Sequence, residues 1–200
     1  MKLENNRAFK EWAVSCEALT EGKQILLIRK GGIREEGGAF RIEDPEFFLL
    51  PTYEHQNARL LQTPFVSRLE ALKKEERDPG IVTLNAYAVV EDILLARDEA
   101  QVNAVANATV WNEIYVKERF NFNPYDPLYL LILRVYRLTE AIALPLLPAY
   151  GGCKSWVTLK RAISTRNAIP AIPDAEFAAR RNKILHKLTR KDTEKGEGKR

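Results

Sequence analysis

Three short stretches of this sequence bring together residue types that handle phosphate or a nucleobase. Arg29-Lys30-Gly31-Gly32, with Arg34 just behind, sets two cations before a glycine pair at the end of an apolar run. Glycine exposes backbone N–H groups and allows close approach, which beside cations suits a phosphate. A glycine pair also lets a strand end turn by admitting φ > 0. The order Gly-Lys-Ser/Thr is absent, so this is not a nucleotide P-loop. Tyr53-Glu54-His55-Gln56 directly follows a strand-like stretch, where site residues project. His55, one of two histidines, has the chemistry of an acid, a base or a base-edge donor. The same residues also read as a helix start, with Glu54 favouring the N-terminal dipole. Tyr150-Gly151-Gly152-Cys153-Lys154-Ser155-Trp156 offers Lys154 and Ser155 to phosphate or backbone. Its Tyr150 and Trp156 suit stacking on a base or core packing. Cys153 would serve as a nucleophile only beside a base, and a free cysteine packs readily as a small buried residue.

Other chemistries find less footing. Glu21-Gly22-Lys23 matches the Glu-x-Lys half of a restriction-nuclease signature. It stands too early for a preceding acidic partner, and paired carboxylates at metal spacing are not evident elsewhere. Two distant cysteines and two distant histidines make neither a zinc site nor a disulfide framework. The reading therefore assigns no catalytic residue, metal or cofactor. Nor is the net charge of +4 evenly spread. Residues 180–200 carry nine Lys/Arg against three acids, so residues 1–179 are net −2. A general basic-protein argument fails for the body. The terminal cations Arg180, Arg181, Lys183, Lys187, Arg190 and Lys191 suit either phosphate affinity or solubility.

The elements that must position these groups follow from periodicity. Phe9, Trp12, Ala13, Cys16 and Leu19 have helical spacing, although the part AVSCEAL also reads as a strand. Residues 24–30 predict a buried strand, 40–43 a half-exposed one and 46–52 another, the three forming a meander. Residues 53–61 and 63–77 predict helices, the second with Thr63-Pro64 as its start signal. Asp78-Pro79-Gly80 turns the chain into a strand over 81–90. Helices follow over 98–107 and 110–120, the latter with Val110, Ile114 and Phe120 facing in, helped by Trp111 and Tyr115. LYLLILRVYRL, residues 128–138, is the strongest strand, and 141–147 predicts a separate one. A short strand follows the second glycine pair, and Pro170 and Pro173 bound a linker. Asp174 caps a last helix with Phe177, Arg181, Ile184 and Leu188 on one stripe. The expected organisation is one α+β domain over 1–173, a C-terminal helix packing on it over 174–189, and a disordered basic tail over 190–200. Strands at both ends with helices between predict a mixed or barrel-like sheet flanked by helices. The polar N-terminus MKLENNRAFKEW and the lack of any membrane-length apolar run point to the cytoplasm.

EALTEGKQILLIRKGGIREEGGAFRIE, FFLLPTYEHQ and YGGCKSWVTL resemble the bacterial domain-of-unknown-function 1802 family (DUF1802), and the resemblance spans most of residues 8–180. It implies a setting rather than an activity: such domains stand beside Mrr-type restriction endonuclease domains, hence restriction–modification and a restriction-system protein as partner. The order strand, Gly-Lys turn, apolar strand ending in Arg is also similar to PUA/ASCH-like barrels, which bind RNA or modified bases. That similarity implies that Gly22, Lys23 and Arg29 line a ligand cleft. The combined expectation is a non-catalytic nucleic-acid-binding module for DNA or RNA. Its cleft would be formed by Lys23, Arg29, Lys30, Gly31, Gly32, Tyr53, His55, Gln56, Tyr150, Gly151, Gly152, Lys154, Ser155 and Trp156. Two alternatives stay open: an enzyme acting on nucleic acid or a nucleotide through His55 or Cys153, and a protein-interaction domain marked by an exposed apolar patch.

Overall fold

A computed structural model describes residues 1–30, 35–36, 39–40, 44–122, 127–152 and 155–189. In chain order the elements are β1 (Glu4–Trp12), α1 (Ala13–Thr20), β2 (Leu26–Lys30), a small hairpin of β3 (Glu35–Glu36) and β4 (Ala39–Phe40), β5 (Glu46–Thr52), α2 (Thr63–Lys74) and β6 (Ile81–Ala96). Then come α3 (Glu99–Ala106), α4 (Glu113–Asn121), β7 (Leu128–Pro145), β8 (Trp156–Ser164), β9 (Ile169–Pro170) and α5 (Asp174–Thr189). The architecture is α+β. A seven-stranded mixed sheet of order β2-β7-β6-β5-β1-β8, with β9 also on β7, is flanked by five α-helices among the described residues. Among the described strands only β1 and β5 pair in parallel.

The backbone of the sheet is the β6–β7 ladder, running from Ile81 opposite Pro145 to Ala96 opposite Leu128. The first eight residues of β7 are all buried, as a nearly continuous apolar run requires when both faces are covered; the exception, Arg134, is satisfied by Ile172 O and Asp174. Such a strand also needs partners at both edges; β6 takes one, β2 and β9 the other. Alternation along the strands sorts side chains into separate cores. Phe47 and Leu49 join Phe9, Leu27, Ala86, Ala88, Leu131 and Leu133 on one face, with Cys16 and Leu19 of α1. Phe48 and Leu50 join Ala8, Leu84, Tyr87 and Val157 on the other. Leu26, Ile28, Leu130 and Ile132 pack beneath the helices with Val102, Trp111, Phe177 and Ile184. The sheet curls until its edges nearly meet: Arg29 of β2 hydrogen-bonds Glu11 of β1 and Ser155 just ahead of β8. No helix among the described residues is long and apolar enough to cross a membrane.

Several expectations need correction. The N-terminal helical pattern is divided at Trp12: Phe9 and Trp12 lie in β1, and AVSCEALT forms α1. Pairing with both β5 and β8 outweighs the helical spacing there. The meander does not form, since β2 pairs with β7 while β5 lies between β1 and β6. Residues 41–43 lie outside the described residues. The helix expected over 53–61 is reduced to a 3-10 turn at Ala58–Leu60. His55 has φ 57, which breaks a right-handed helix, and Leu61 bridges Trp111 instead. Helix α4 starts only at Glu113, capped by the Asn112 side chain on Tyr115 N–H; Ile114 is exposed rather than facing in. Residues 141–145 continue β7 without a break, and Ile169–Pro170 forms β9 at the start of the expected linker.

Candidate functional site

The α1–β2 turn is the most firmly built of the predicted site segments. Gly22 has φ 70, and its N–H reaches Leu19 O at 3.1 Å while Lys23 N–H reaches Ala18 O at 2.8 Å. These two bonds make the helix end a Schellman motif, whose left-handed residue favours glycine. Gln24, buried, anchors the next residue: its amide donates to Ser15 Oγ and accepts from Val110 N–H at 2.9 Å. Lys23 is thereby turned outward beside α5, where Arg180, Lys183 and Lys187 lie at helical spacing on one face. The four cations line a cavity of about 220 Å3 floored by Ile25, Val105 and Ile184. Arg180 donates to Gly22 O at 2.5 Å and Lys187 to Ala104 O at 2.8 Å. Lys23 pairs with Glu21 and Arg180 with Glu176, but neither carboxylate lines the cavity. Lys183 is exposed, with no hydrogen bond or ion pair among the described residues. Helix α5 is held in place by Phe177 and Ile184 in the core and by Arg181, which makes two bonds of 2.5 and 2.6 Å to Asp92.

A second cavity, of about 240 Å3, lies on the other side of α1. Cys16, Glu17 and Thr20 of one α1 face, with Glu21 just after the helix, meet Tyr53, Glu75 of the α2 end, and Thr83 and Asn85 of β6. Asn85 stands where the β6–β7 register shifts, between Leu84 and Ala86, and a bulge of this kind re-aims a side chain. Arg68 spans Glu17 and Glu75, while Arg77 lies over the Tyr53 ring at 3.7 Å. Burial pushes the Cys16 thiol well above its ordinary range, with Glu11 and Glu17 adding to it, so it is a poor nucleophile. Burial also raises the Tyr53 phenol. The two cavities share the turn: Glu21 lines one, Lys23 the other, and their charged ends are 2.5 Å apart.

The remaining predicted residues distribute as follows. Arg29, Ser155 and Trp156 come together where the sheet edges approach. Arg29 donates to Glu11 at 3.0 Å and Ser155 Oγ at 2.7 Å over the Phe9 ring, and Trp156 packs edge-on against Phe9 and Phe47. Gly152, with φ 74, joins this group by accepting from Lys10 Nζ at 3.0 Å. Lys30 lies against the end of α4, donating to Phe120 O. Gln56 caps α1 by accepting from Val14 N–H, whereas His55 is exposed. Tyr150 is buried at the far end of β7, its hydroxyl accepting from Lys160 N–H, next to Gly151. Gly31, Gly32, Cys153, Lys154, Arg190 and Lys191 lie outside the described residues. Thus Lys23, Tyr53 and Tyr150 line three different cavities. Sequence reasoning missed Glu17, Thr83 and Asn85, which carry no signal beyond ordinary polar positions on a helix and an alternating strand.

A family model described as a domain of unknown function, DUF1802, matches residues 8–183. No curated protein matches the chain. Among solved structures the chain is similar to crystal structures of ASCH from Zymomonas mobilis. The unsubstituted protein is 11% identical at a TM-score of 0.44, over 78% of this chain and 87% of that one. A serine-to-alanine mutant is 11% identical at 0.44, over 78% and 88%. A tyrosine-to-phenylalanine mutant is 12% identical at 0.42, over 78% and 90%.

Proposed function

The chain belongs to the DUF1802 family, and from that premise we propose that it is a nucleic-acid-binding module whose phosphate contacts centre on the α1–β2 turn. The observation that carries this reading is the cavity lined by Lys23, Arg180, Lys183 and Lys187, with no lining carboxylate among the described residues. Clustered cations over an apolar floor suit a phosphate chain, because each neutralised phosphate releases counterions. The cavity across the turn gives the reading its finer part, recognition of a base, a modified one included. Hydroxyl, amide and carboxylate groups of Thr83, Asn85 and Glu17 around the Tyr53 ring supply the mixture of donors and acceptors that a base edge requires. Phosphate contacts position and base contacts specify, so the two cavities divide the work. The restriction–modification setting implied by the family resemblance makes methylated duplex DNA the pertinent substrate to compare.

Fluorescence anisotropy tests this with duplex DNA, methylated duplex DNA, single-stranded DNA and structured RNA, each at two salt concentrations. Lys183→Glu is expected to weaken binding uniformly and to lower the salt slope by about one. Asn85→Leu is expected to change the preference among substrates while leaving that slope unchanged. Replacing Arg190, Lys191, Lys195, Lys199 and Arg200 by serine separates the cavity from the tail. If binding disappears with the tail alone and ignores Lys183→Glu, the cavity is not the site.

A further inference from the structure

At the far end of the sheet, β8 departs from regular pairing. Asn5 faces Ile163 and Arg7 faces Thr158, so β1 advances two residues while β8 advances five. Residues 159–162 stand opposite Asn6 alone, a surplus of three, and bulge out from β1. Leu159 turns inward and is 2% exposed, while Lys160 and Arg161 point to solvent. The loop is pinned, because Lys160 N–H donates to the Tyr150 hydroxyl at 3.0 Å, and Tyr150, itself buried, belongs to the Pro148–Tyr150 3-10 turn. Between the end of β7, this turn and the bulge lies a groove of about 340 Å3 walled by Leu144, Pro145, Leu147, Tyr150 and Leu159. Its polar rim is Lys160 and Arg161, and among the described residues no carboxylate lines it. Neither rim side chain has a hydrogen-bond or ion-pair partner among the described residues. The apolar surface extends outward through Ile81, 40% exposed, and Leu146, 47% exposed, which adjoin Pro145 by pairing and by sequence.

We propose that this groove docks an extended acidic segment of a partner protein, which seats one apolar side chain between Leu147 and Leu159 and sets carboxylates against Lys160 and Arg161. Three features select that occupant. The walls are hydrocarbon, so the anchor is aliphatic or aromatic. The rim is purely cationic, so the flanking charges are negative. Among the described strands β8 pairs only with β1, which leaves its other edge open to an added strand. A second copy of this chain is a poor occupant: apposed β8 edges would oppose Lys160 and Arg161 to their own copies, and like charges across strands repel. Bulges at sheet edges re-aim side chains beside binding sites, as here with Leu159 inward and its neighbours outward.

Selection of a displayed random linear peptide library on the full-length protein tests this. The expected result is convergence on an aliphatic or aromatic residue flanked by Asp or Glu. Synthetic winners should lose at least about tenfold in affinity for the Lys160→Glu/Arg161→Glu protein, and also for Leu147→Ser. Both rim residues are exposed, so the double variant should keep its thermal midpoint and the nucleic-acid affinity of the wild type, and comparing the two checks its fold. Convergence on basic or purely polar peptides, absence of convergence, or winners that ignore the rim reversal overturns the proposal. So does binding of anionic lipid vesicles through the same rim with no peptide selected.

Discussion

The Arg29 guanidinium sits where a free cation would be most useful and is already engaged. Its side chain is 15% exposed and that of Glu11 3%, and the Glu11 carboxylate also accepts from Trp12 N–H at 2.7 Å. Removing one partner of such a pair strands a buried charge, which costs roughly 3–5 kcal/mol, whereas replacing both by neutral groups costs far less. Arg29→Met is therefore expected to lower the urea midpoint sharply, and Glu11→Gln in the same chain to restore most of it. Equal losses for the single and double variants would mean that the pair does not close the sheet edge. The Cys16 thiol makes a second test at this scale. It is buried, bonded to Glu11 O, and held protonated by its surroundings. With Cys153→Ser as background, a thiol reagent at pH 8 should find nothing to modify in the native protein and one equivalent after unfolding. Rapid native labelling would show that α1 opens readily from the sheet.

At the scale of the element, the α1–β2 turn depends on Gly22 twice. Its φ of 70 disfavours a side chain, and a Cβ built there would meet Ile172 Cγ2 at 2.2 Å. Gly22→Ala is expected to cost on the order of 2–3 kcal/mol and to weaken nucleic-acid binding, because Lys23 and Arg180 are both referenced to this turn. Ile172→Ala should relieve the steric part but not the backbone part, so the double variant lies between; urea denaturation orders the three. The turn also shows what a linear reading can reach. Helices α2, α3 and α5, strand β6 as far as Val90 and the first part of β7 are written in local pattern, and the Asp174 start signal falls on the first residue of the helix it introduces. The boundary at Trp12 is not, because Phe9 to Leu19 keeps helical spacing across a junction that only pairing with β5 and β8 creates. Nor is the basic cavity: resemblance singles out Lys23, and tail charge singles out Arg180, Lys183 and Lys187. Their union requires Arg180 to fold back onto Gly22, 158 positions earlier. Asn85 is illegible for the same reason: an alternating strand assigns it to solvent, where it stays exposed, and only the fold sets it beside Glu17 and Tyr53.

At the scale of the whole molecule, acidic protons are held in every core at once. Cys16 belongs to the core reached by α1, Tyr115 to the core under the helices, and Tyr87 to the opposite sheet face. In each, burial is the leading cause and pushes the group above its ordinary value, near 9.0 for the thiol and 10.0 for the phenols. The neutral form is thus favoured in the fold, and the unfolded chain gives up these protons first. Over that range the unfolded state binds fewer protons than the native state, so stability falls as pH rises. The contribution is fully present below about pH 9 and is lost above it, at up to about 1.4 kcal/mol per pH unit for each group that lags. Urea midpoints measured from pH 7 to 11 should be level for these groups to about pH 8.5 and then decline increasingly steeply. Cys16→Ala should remove the earliest part of that decline and leave the phenolic part in place, because the thiol is the first to titrate in the unfolded chain. A midpoint that stays level to pH 11 would mean that these groups ionise as easily inside the protein as outside it, and hence that water reaches all three cores.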